Sequence, residues 1–548
     1  MIFYIRKLLF FTAIFLSVFQ AKSQDIYQSY RAGWLAKAEQ YTPKLIQTTK
    51  QPIGMVQLEK DESAFQGWKT VSAGKTDSLY NGSFKKQKEV ILDFGEHLTG
   101  YFSFKVDTLS RTPDAPLKFR LTFGEVPSEI ATPFDPYKGD LSRAWLQDEV
   151  ITVMDVPTVI KISRRLAFRY VKIELIGSSQ YYDFKISNAE CAAVTSVTKF
   201  PDRLQPSANK MITDIDKIGL NTLKECMQTV YEDGPKRDRR LWIGDLFLES
   251  LANGYSFKNY DLTKRCLYLL AGLSDHKGDL VGTVFEKPEP HPQTLQYLMD
   301  YNFLYNVTLK EYAIATGDKA TANDLWPVAK QQLDVIRKFV KADGRMDYEK
   351  ANKEWWLFFD WKADLHKEAA LQGIAIYALK NTYQLAAFLD KKDDVKDLPV
   401  LIARMTKAAK QYMYNKQTNL FLSGDAKQVS YASQIWMVLG GVLNKKESQQ
   451  TLKALQQYKN AVIPGAPYLY HFYIQSLIEA GMNTEAKAYL TNYWGGMVKK
   501  GADTFWEVYD PGNEYLSPYQ FFPINSYCHA WSCTPVYFIR KYPEIFQR

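Results

Sequence analysis

Two hydrophobic periods divide the chain. From about Gln24 to Gln205, apolar residues recur at every second position in short runs. Tyr101, Ser103 and Lys105 alternate with Phe102, Phe104 and Val106, and residues 117–123, 159–162 and 170–175 alternate in the same way. Period-2 runs broken by Gly, Pro and Asp predict an antiparallel β-sandwich. His97, the one histidine here, reads as a polar turn residue. Near residues 201–207 the period changes. Ile212, Ile215, Ile218, Leu223, Cys226, Met227 and Val230 follow helical spacing, the first of about twelve such segments. They lie near 207–229, 245–258, 260–272, 295–316, 319–341, 364–390, 397–414, 429–443, 446–458, 467–480, 483–499 and 525–541. No 34- or 40-residue repeat links them, which argues against a solenoid. Twelve helices in six hairpins predict an all-α (α/α)6 barrel with a pocket at one end. The expected domains are therefore 24–205, a β-sandwich, and 206–548, the barrel, after a leader of residues 1–23.

The leader has basic Arg6 and Lys7, an apolar run over 8–19, and small residues Ala21 and Ser23 at a cleavage site. This is the pattern of a secretory signal peptide, too short to span a bilayer, and no later stretch is apolar enough for membrane insertion. Periplasmic or extracellular placement is expected. Removing the leader takes away Arg6, Lys7 and Lys22, lowering the formal charge from +9 to +6. Basic residues are scattered, so nucleic acid is not an expected partner. Five cysteines without a CxxC pair indicate neither a disulfide framework nor zinc, and no cofactor or metal is expected. Aromatic residues reach 14% of the chain, with 36 Tyr and 12 Trp. That supply suits stacking on sugar rings and equally a large helical core.

The densest chemistry lies in residues 231–245, YEDGPKRDRRLWIGD, a loop between the first two helices of the barrel. Pro235 and Gly234 impose irregular backbone, and Asp245 reads as the N-cap of the next helix. Asp233, Asp238 and Asp245 fall on no single regular face. Folded together they could surround a ligand; alternatively this is a solvated turn whose arginines neutralise its acids.

The pattern Asp233-x-Pro235-x-Arg237-Asp238-Arg239-x-x-Trp242-x-Gly244-Asp245 resembles the signature of bacterial α-L-rhamnosidases, glycoside hydrolase family 78. Asp503-Thr504-Phe505-Trp506-Glu507 and Asn525-Ser526-Tyr527-Cys528-His529-Ala530-Trp531-Ser532 resemble two further motifs of that family, in the same order. In the strand region, Leu92-Asp93-Phe94-Gly95 and Phe168-Arg169-Tyr170-Val171 are also similar, so the likeness covers roughly residues 30–545.

The resemblance implies an exo-acting hydrolase that inverts the anomeric carbon of terminal α-L-rhamnosyl residues. Asp238 would be the general acid and Glu507 the general base. Asp233, Arg237, Trp242, Asp245, Trp506 and His529 would bind the sugar, as would the pair Asp360 and Trp361. Arg237 and Arg239 are expected to pair with Asp233 or Asp245. One departure stands out: the family's acid is usually Glu, and Asp238 is shorter by about 1.5 Å. Either the loop moves inward, or the sugar differs, or the site binds without turnover. A different deoxy sugar or a uronic acid, and a non-catalytic sugar-binding homologue, are thus the alternative functions.

Overall fold

The computed structural model describes residues 25–109, 116–205, 209–294 and 296–548; the leader lies outside them. The chain opens with a helix, α1 (Arg31–Gln40), where strands were expected from Gln24. Its Tyr27, Trp34 and Ala38 surroundings are buried in the core of the helical domain, not of the sheet. Arg31 fixes it there by donating to the carbonyls of Gly272 and Ser274, at 3.1 and 2.6 Å.

Nine antiparallel strands follow: β1 (Ile46–Lys50), β2 (Gly54–Lys60), β3 (Trp68–Gly74), β4 (Glu89–Thr108), β5 (Leu117–Gly124), β6 (Asp148–Val153), β7 (Thr158–Lys161), β8 (Leu166–Gly177) and β9 (Phe184–Thr195). The long strand β4 changes partners along its length. Residues 89–100 pair with β8, and residues 100–108 pair with β9. The exchange falls at Gly100, where a Cβ would meet the Ala192 carbonyl at 2.3 Å, so only glycine fits. Beyond it the alternation holds: Phe102, Phe104 and Val106 are buried while Tyr101 is exposed. Those residues and Leu117, Phe119, Leu121 and Phe123 of β5 build the sandwich core.

Twelve helices then form two concentric rings. α3 (Ile243–Gly254), α5 (Met299–Thr316), α7 (Glu368–Phe388), α9 (Tyr431–Leu439), α11 (Pro467–Glu479) and the 530–541 segment ending in α13 (Pro535–Lys541) touch in a closed inner circle. α2 (Lys210–Cys226), α4 (Tyr260–Gly272), α6 (Trp326–Lys338), α8 (Leu398–Tyr412), α10 (Lys445–Gln457) and α12 (Asn483–Lys499) pack outside them. Sequence composition explains the division. Inner α7 is apolar or small on nearly every face and buried accordingly, whereas outer α10 buries only Ser448, Thr451, Leu452 and Leu455. Asn209 caps α2 by accepting from Met211 N–H, and Asn444 forms a capping box with Glu447 on α10. The chain is thus an antiparallel sandwich followed by an (α/α)6 barrel. Among the described residues no helix is long and apolar enough to cross a membrane, no group of residues could hold a metal ion, and the five cysteines are free and buried.

Two expected boundaries shift, and both shifts shape the pocket. Helix α3 starts at Ile243, straight from the two-residue strand Leu241–Trp242. Asp245 is therefore inside the first turn and not an N-cap, which frees its carboxyl to face inward. The expected helix over 525–541 is a 3-10 turn, Ala530–Cys533, followed by α13. Residues 525–529 are instead engaged in pairing with two other loops.

Candidate active site

Three segments meet at the end of the barrel. Ala530 N–H donates to the Asp233 carbonyl at 2.8 Å, His529 N–H to Phe505 at 2.9 Å, and Glu507 N–H to Ser526 at 2.9 Å. The loop after α2 is closed at its base by Asp233 N–H on the Arg240 carbonyl and Arg240 N–H on the Asp233 carboxylate, both 3.1 Å. At its tip Asp238 and Arg239 are both left-handed, with φ of 60° and 56°. Aspartate tolerates that region better than most residues, and two such residues in succession reverse the chain. The turn sets Asp238 in the wall of a cavity of about 370 Å³ together with Glu507.

Glu507 is buried, and its two oxygens are unequally used. Oε2 accepts from the Arg237 guanidinium and from Ser526 N–H at 3.2 Å; Oε1 accepts from the Tyr519 hydroxyl at 2.5 Å. One lone pair, on Oε1, is left for a further donor. Burial alone would raise the Glu507 carboxyl, but the Arg237 guanidinium and the Tyr519 hydroxyl outweigh it and hold the group below its ordinary value. Arg237 itself lies over Tyr519, 4.2 Å from the ring centre. Its other terminal nitrogen stands 3.4 Å from Asp238 Oδ1, so one guanidinium spans both carboxylates. The expected pairing of Arg237 and Arg239 with Asp233 or Asp245 does not occur. Arg239 turns toward Glu232 and Arg165, where burial and the second guanidinium push it down to about 10. Arg240, a second arginine of the cavity, also approaches Asp238, at 3.8 Å, and donates to Gln293.

Asp233, Asp245 and His529 are buried beside them. Burial, with the nearby Asp238 and Asp245 carboxylates, raises Asp233 well above the usual range; burial and the Glu507 charge do the same for Asp245. Burial pushes His529 down to about 4, so its ring is neutral at pH 7. Its nitrogens stand 3.9 Å from Asp233 and from Asp245, too far for direct hydrogen bonds. His529 Nδ1, Asp245 Oδ1, Gln296 Oε1, Arg240 Nε and Trp361 Nε1 are buried with no hydrogen-bond partner in the protein, and all five residues line the cavity. Trp242, Trp356, Phe358, Trp361, Tyr519 and Trp531 supply the walls. Unpaired donors and acceptors between aromatic faces suit a polyhydroxylated ring.

Two expected sugar-binding residues are absent from this lining. Trp506 points the other way from Glu507, as successive side chains in extended backbone do, and stacks on Phe65 of the sandwich domain at 3.9 Å. Asp360 turns into the barrel, where Gly465 N–H donates to it at 2.5 Å and burial raises it to about 7. Its neighbour Trp361 does reach the cavity. Conversely, sequence reasoning missed Tyr519, Gln293, Gln296 and Leu298, and it missed a contribution from the sandwich domain. Leu141 and Trp145 of that domain line the cavity. They belong to a small apolar cluster with Phe134, Leu146, Ile524 and Tyr519, and Asp140 N–H donates to the Tyr519 carbonyl at 3.1 Å. His97 is likewise no turn residue: it is buried between the domains against Glu125, at 2.9 Å.

Residues 52–193 match the family model described as the glycosyl hydrolase family 78 alpha-rhamnosidase N-terminal domain. Residues 206–542 match that of the bacterial alpha-L-rhamnosidase 6 hairpin glycosidase domain. A rhamnosidase from Klebsiella oxytoca, solved with rhamnose bound, is 38% identical over 93% of this chain and 99% of its own, with a TM-score of 0.90. A family 78 rhamnosidase of Bacillus sp. GL1 shares the fold at 20% identity and a TM-score of 0.68, over 82% of this chain and 46% of the other. The Streptomyces avermitilis α-L-rhamnosidase complexed with L-rhamnose does so at 15% identity and a TM-score of 0.63, over 91% and 44%. No curated protein matches by sequence. Fold and pocket together define a glycoside hydrolase built on six helical hairpins. Because one family model covers most of the chain and the Klebsiella enzyme aligns almost end to end, the class narrows further. The chain belongs to glycoside hydrolase family 78, the bacterial α-L-rhamnosidases.

Proposed function

We propose that the protein is an exported, inverting exo-α-L-rhamnosidase with Asp238 as general acid and Glu507 as general base. The observation that carries this reading is the Arg237 bridge between the two carboxylates. The terminal nitrogens of a guanidinium are about 2.3 Å apart. With a charge-assisted hydrogen bond of ~2.8 Å to Glu507, the bridged oxygens are at most about 9 Å apart. Inverting glycosidases need roughly 6.5–9.5 Å, to seat a water beside the base. The bridge caps the separation within that range, and the anomer formed first distinguishes it from the ~5 Å of retaining enzymes.

In this mechanism Asp238 gives its proton to the glycosidic oxygen as the bond to the anomeric carbon breaks. Water enters from the opposite face and yields a proton to Glu507 Oε1, the oxygen with a free lone pair. Tyr519 and Arg237 hold that carboxylate in place and ionised. Asp233 and Asp245, whose carboxyls burial raises, and neutral His529 hold the sugar hydroxyls, with Trp242, Trp361 and Trp531 as walls. Exo action is supported by depth and size: Asp245 is 2% exposed and Trp356 42%, so the cavity has a floor and a mouth. About 370 Å³ suits a single sugar unit with little beyond it. Rhamnose as the sugar is supported by the Klebsiella relative, which was solved with it. Export is supported by the leader sequence.

A panel of 4-nitrophenyl glycosides tests the reading. Release from the α-L-rhamnoside, and not from uronides or other deoxy sugars, is expected; no release from the rhamnoside would overturn it.

A further inference from the structure

The loop that carries Asp238 is anchored outside its own domain. Lys236, two residues before Asp238, is 1% exposed, and its ammonium is aimed at the sandwich. It donates to Glu129 Oε1 at 2.5 Å and to the Asn525 carbonyl at 2.5 Å, and lies 3.3 Å from Glu125 Oε2. Two of its protons are thus hydrogen-bonded, and the Glu125 carboxylate lies beside the ammonium as a second anion. Glu125 and Glu129 belong to the sandwich domain and are themselves fixed. Glu129 Oε2 accepts from Glu125 N–H at 2.6 Å and Val126 N–H at 3.2 Å; Glu125 accepts from His97 at 2.9 Å and from Tyr527 N–H at 2.6 Å. His97 in turn faces Glu225 of α2 at 3.8 Å. A second tie, Arg165 to Glu232 at 2.6 Å, holds the loop's entry to the same domain.

The tip needs such an anchor. Consecutive left-handed residues other than glycine persist only where their surroundings over-determine them. The base of the loop is held by Asp233 and Arg240, and within it Arg239 donates to the Gly234 and Lys236 carbonyls, both at 3.3 Å, while Lys236 and Arg237 fasten it to segments outside the loop. Arg237 binds the opposite carboxylate, Glu507, and the Ile524 carbonyl. We propose that Lys236 is a positioning residue for Asp238, and that Glu129 and Glu125 of the sandwich domain act on catalysis through it. The sandwich is then a working part of the acid half of the site. This rests on the reading of Asp238 as general acid.

Leaving-group dependence tests it. A 2,4-dinitrophenyl leaving group departs without a proton, whereas a benzyl alcohol needs one, so a displaced acid harms the second substrate selectively. The variants are Lys236→Met and Glu129→Gln, with Asp238→Asn as reference. The Gln amide oxygen can keep both backbone bonds while its NH2 faces Lys236, removing that contact with little change of shape. Displacement of a reacting group by ~1 Å costs ~10²-fold. Both variants should therefore lose about 10- to 100-fold in kcat on benzyl α-L-rhamnoside, with KM and rhamnose affinity within about threefold, and under about fivefold on the dinitrophenyl glycoside. Equal losses on both substrates, no loss on either, or lost rhamnose affinity in both variants would overturn the proposal. Should Lys236→Met alone fail to bind rhamnose, Glu129→Gln decides. If Asp238→Asn shows no leaving-group selectivity, the acid assignment itself falls; if it does and the other two do not, only the positioning role falls.

Discussion

Replacing Arg237 by Met removes the one guanidinium that holds Glu507 ionised while keeping an unbranched side chain of similar length under Tyr519. In the native site the Glu507 carboxyl lies below its ordinary value of 4.5 although it is 2% exposed. It is therefore ionised throughout pH 5–8, and activity should show no acidic limb in that range. Two unit charges about 4 Å apart interact by about 4 kcal/mol at an effective dielectric of ~20. Burial is unchanged in the variant, so with the guanidinium gone the carboxyl rises, and the base is lost by protonation as pH falls within that range. The profile of kcat/KM on 4-nitrophenyl α-L-rhamnoside should acquire an acidic limb there. The loss of activity should be greatest at pH 5 and largely recovered above pH 8. Rhamnose binding by calorimetry at pH 8 confirms a folded pocket. A uniform loss at every pH, with no displaced limb, would refute the role assigned to the Arg237–Glu507 contact.

The other predictions are direct. Asp238→Asn and Glu507→Gln should each lower kcat on 4-nitrophenyl α-L-rhamnoside by ~10²–10⁴-fold while rhamnose still binds; full activity in either would remove that residue from the mechanism. His529→Ala takes an unpartnered buried donor from the floor, so rhamnose affinity measured by calorimetry should fall ~10-fold or more, and unchanged affinity would contradict its contact with the sugar. Trp506→Ala deletes a buried ring stacked on Phe65 across the domain interface and should cost about 3–5 kcal/mol in denaturant unfolding; a loss under ~1 kcal/mol would show that the ring is not packed as described.

Both domains were legible because their hydrophobic periods differ, 2 in the sheet and 3.6 in the barrel. A pattern of alternation needs no knowledge of distant contacts. That the Asp238 loop, Glu507 and His529 meet at one cavity was legible through motif and order. Facing direction was harder. Trp506 and Glu507 are adjacent, as are Asp360 and Trp361, and in each pair only one member reaches the cavity. Adjacency in a motif cannot say which. Nor can it show that Arg237 pairs with a carboxylate 270 positions away rather than with the acids beside it. Tyr519, Leu141 and Trp145 carry no local signal, because their place depends on how the loop of one domain meets the far end of the other. The same holds for His97 and Lys236, polar residues that local hydropathy assigns to the surface. In the fold they are buried as a charged cluster between domains. Asp238 illustrates the reverse case: its side chain is one methylene short, and the left-handed turn at 238–239, invisible in the sequence, accompanies its arrival at the cavity wall.

The central claim is that Asp238 and Glu507 act from opposite faces of one sugar in a single displacement. Proton NMR of the first-formed product, recorded before mutarotation, tests it most directly. With 4-nitrophenyl α-L-rhamnoside as substrate, β-L-rhamnose should appear first and the α anomer only as mutarotation proceeds. Initial formation of α-L-rhamnose would mean retention, a carboxyl separation near ~5 Å and a nucleophile where the account places a base.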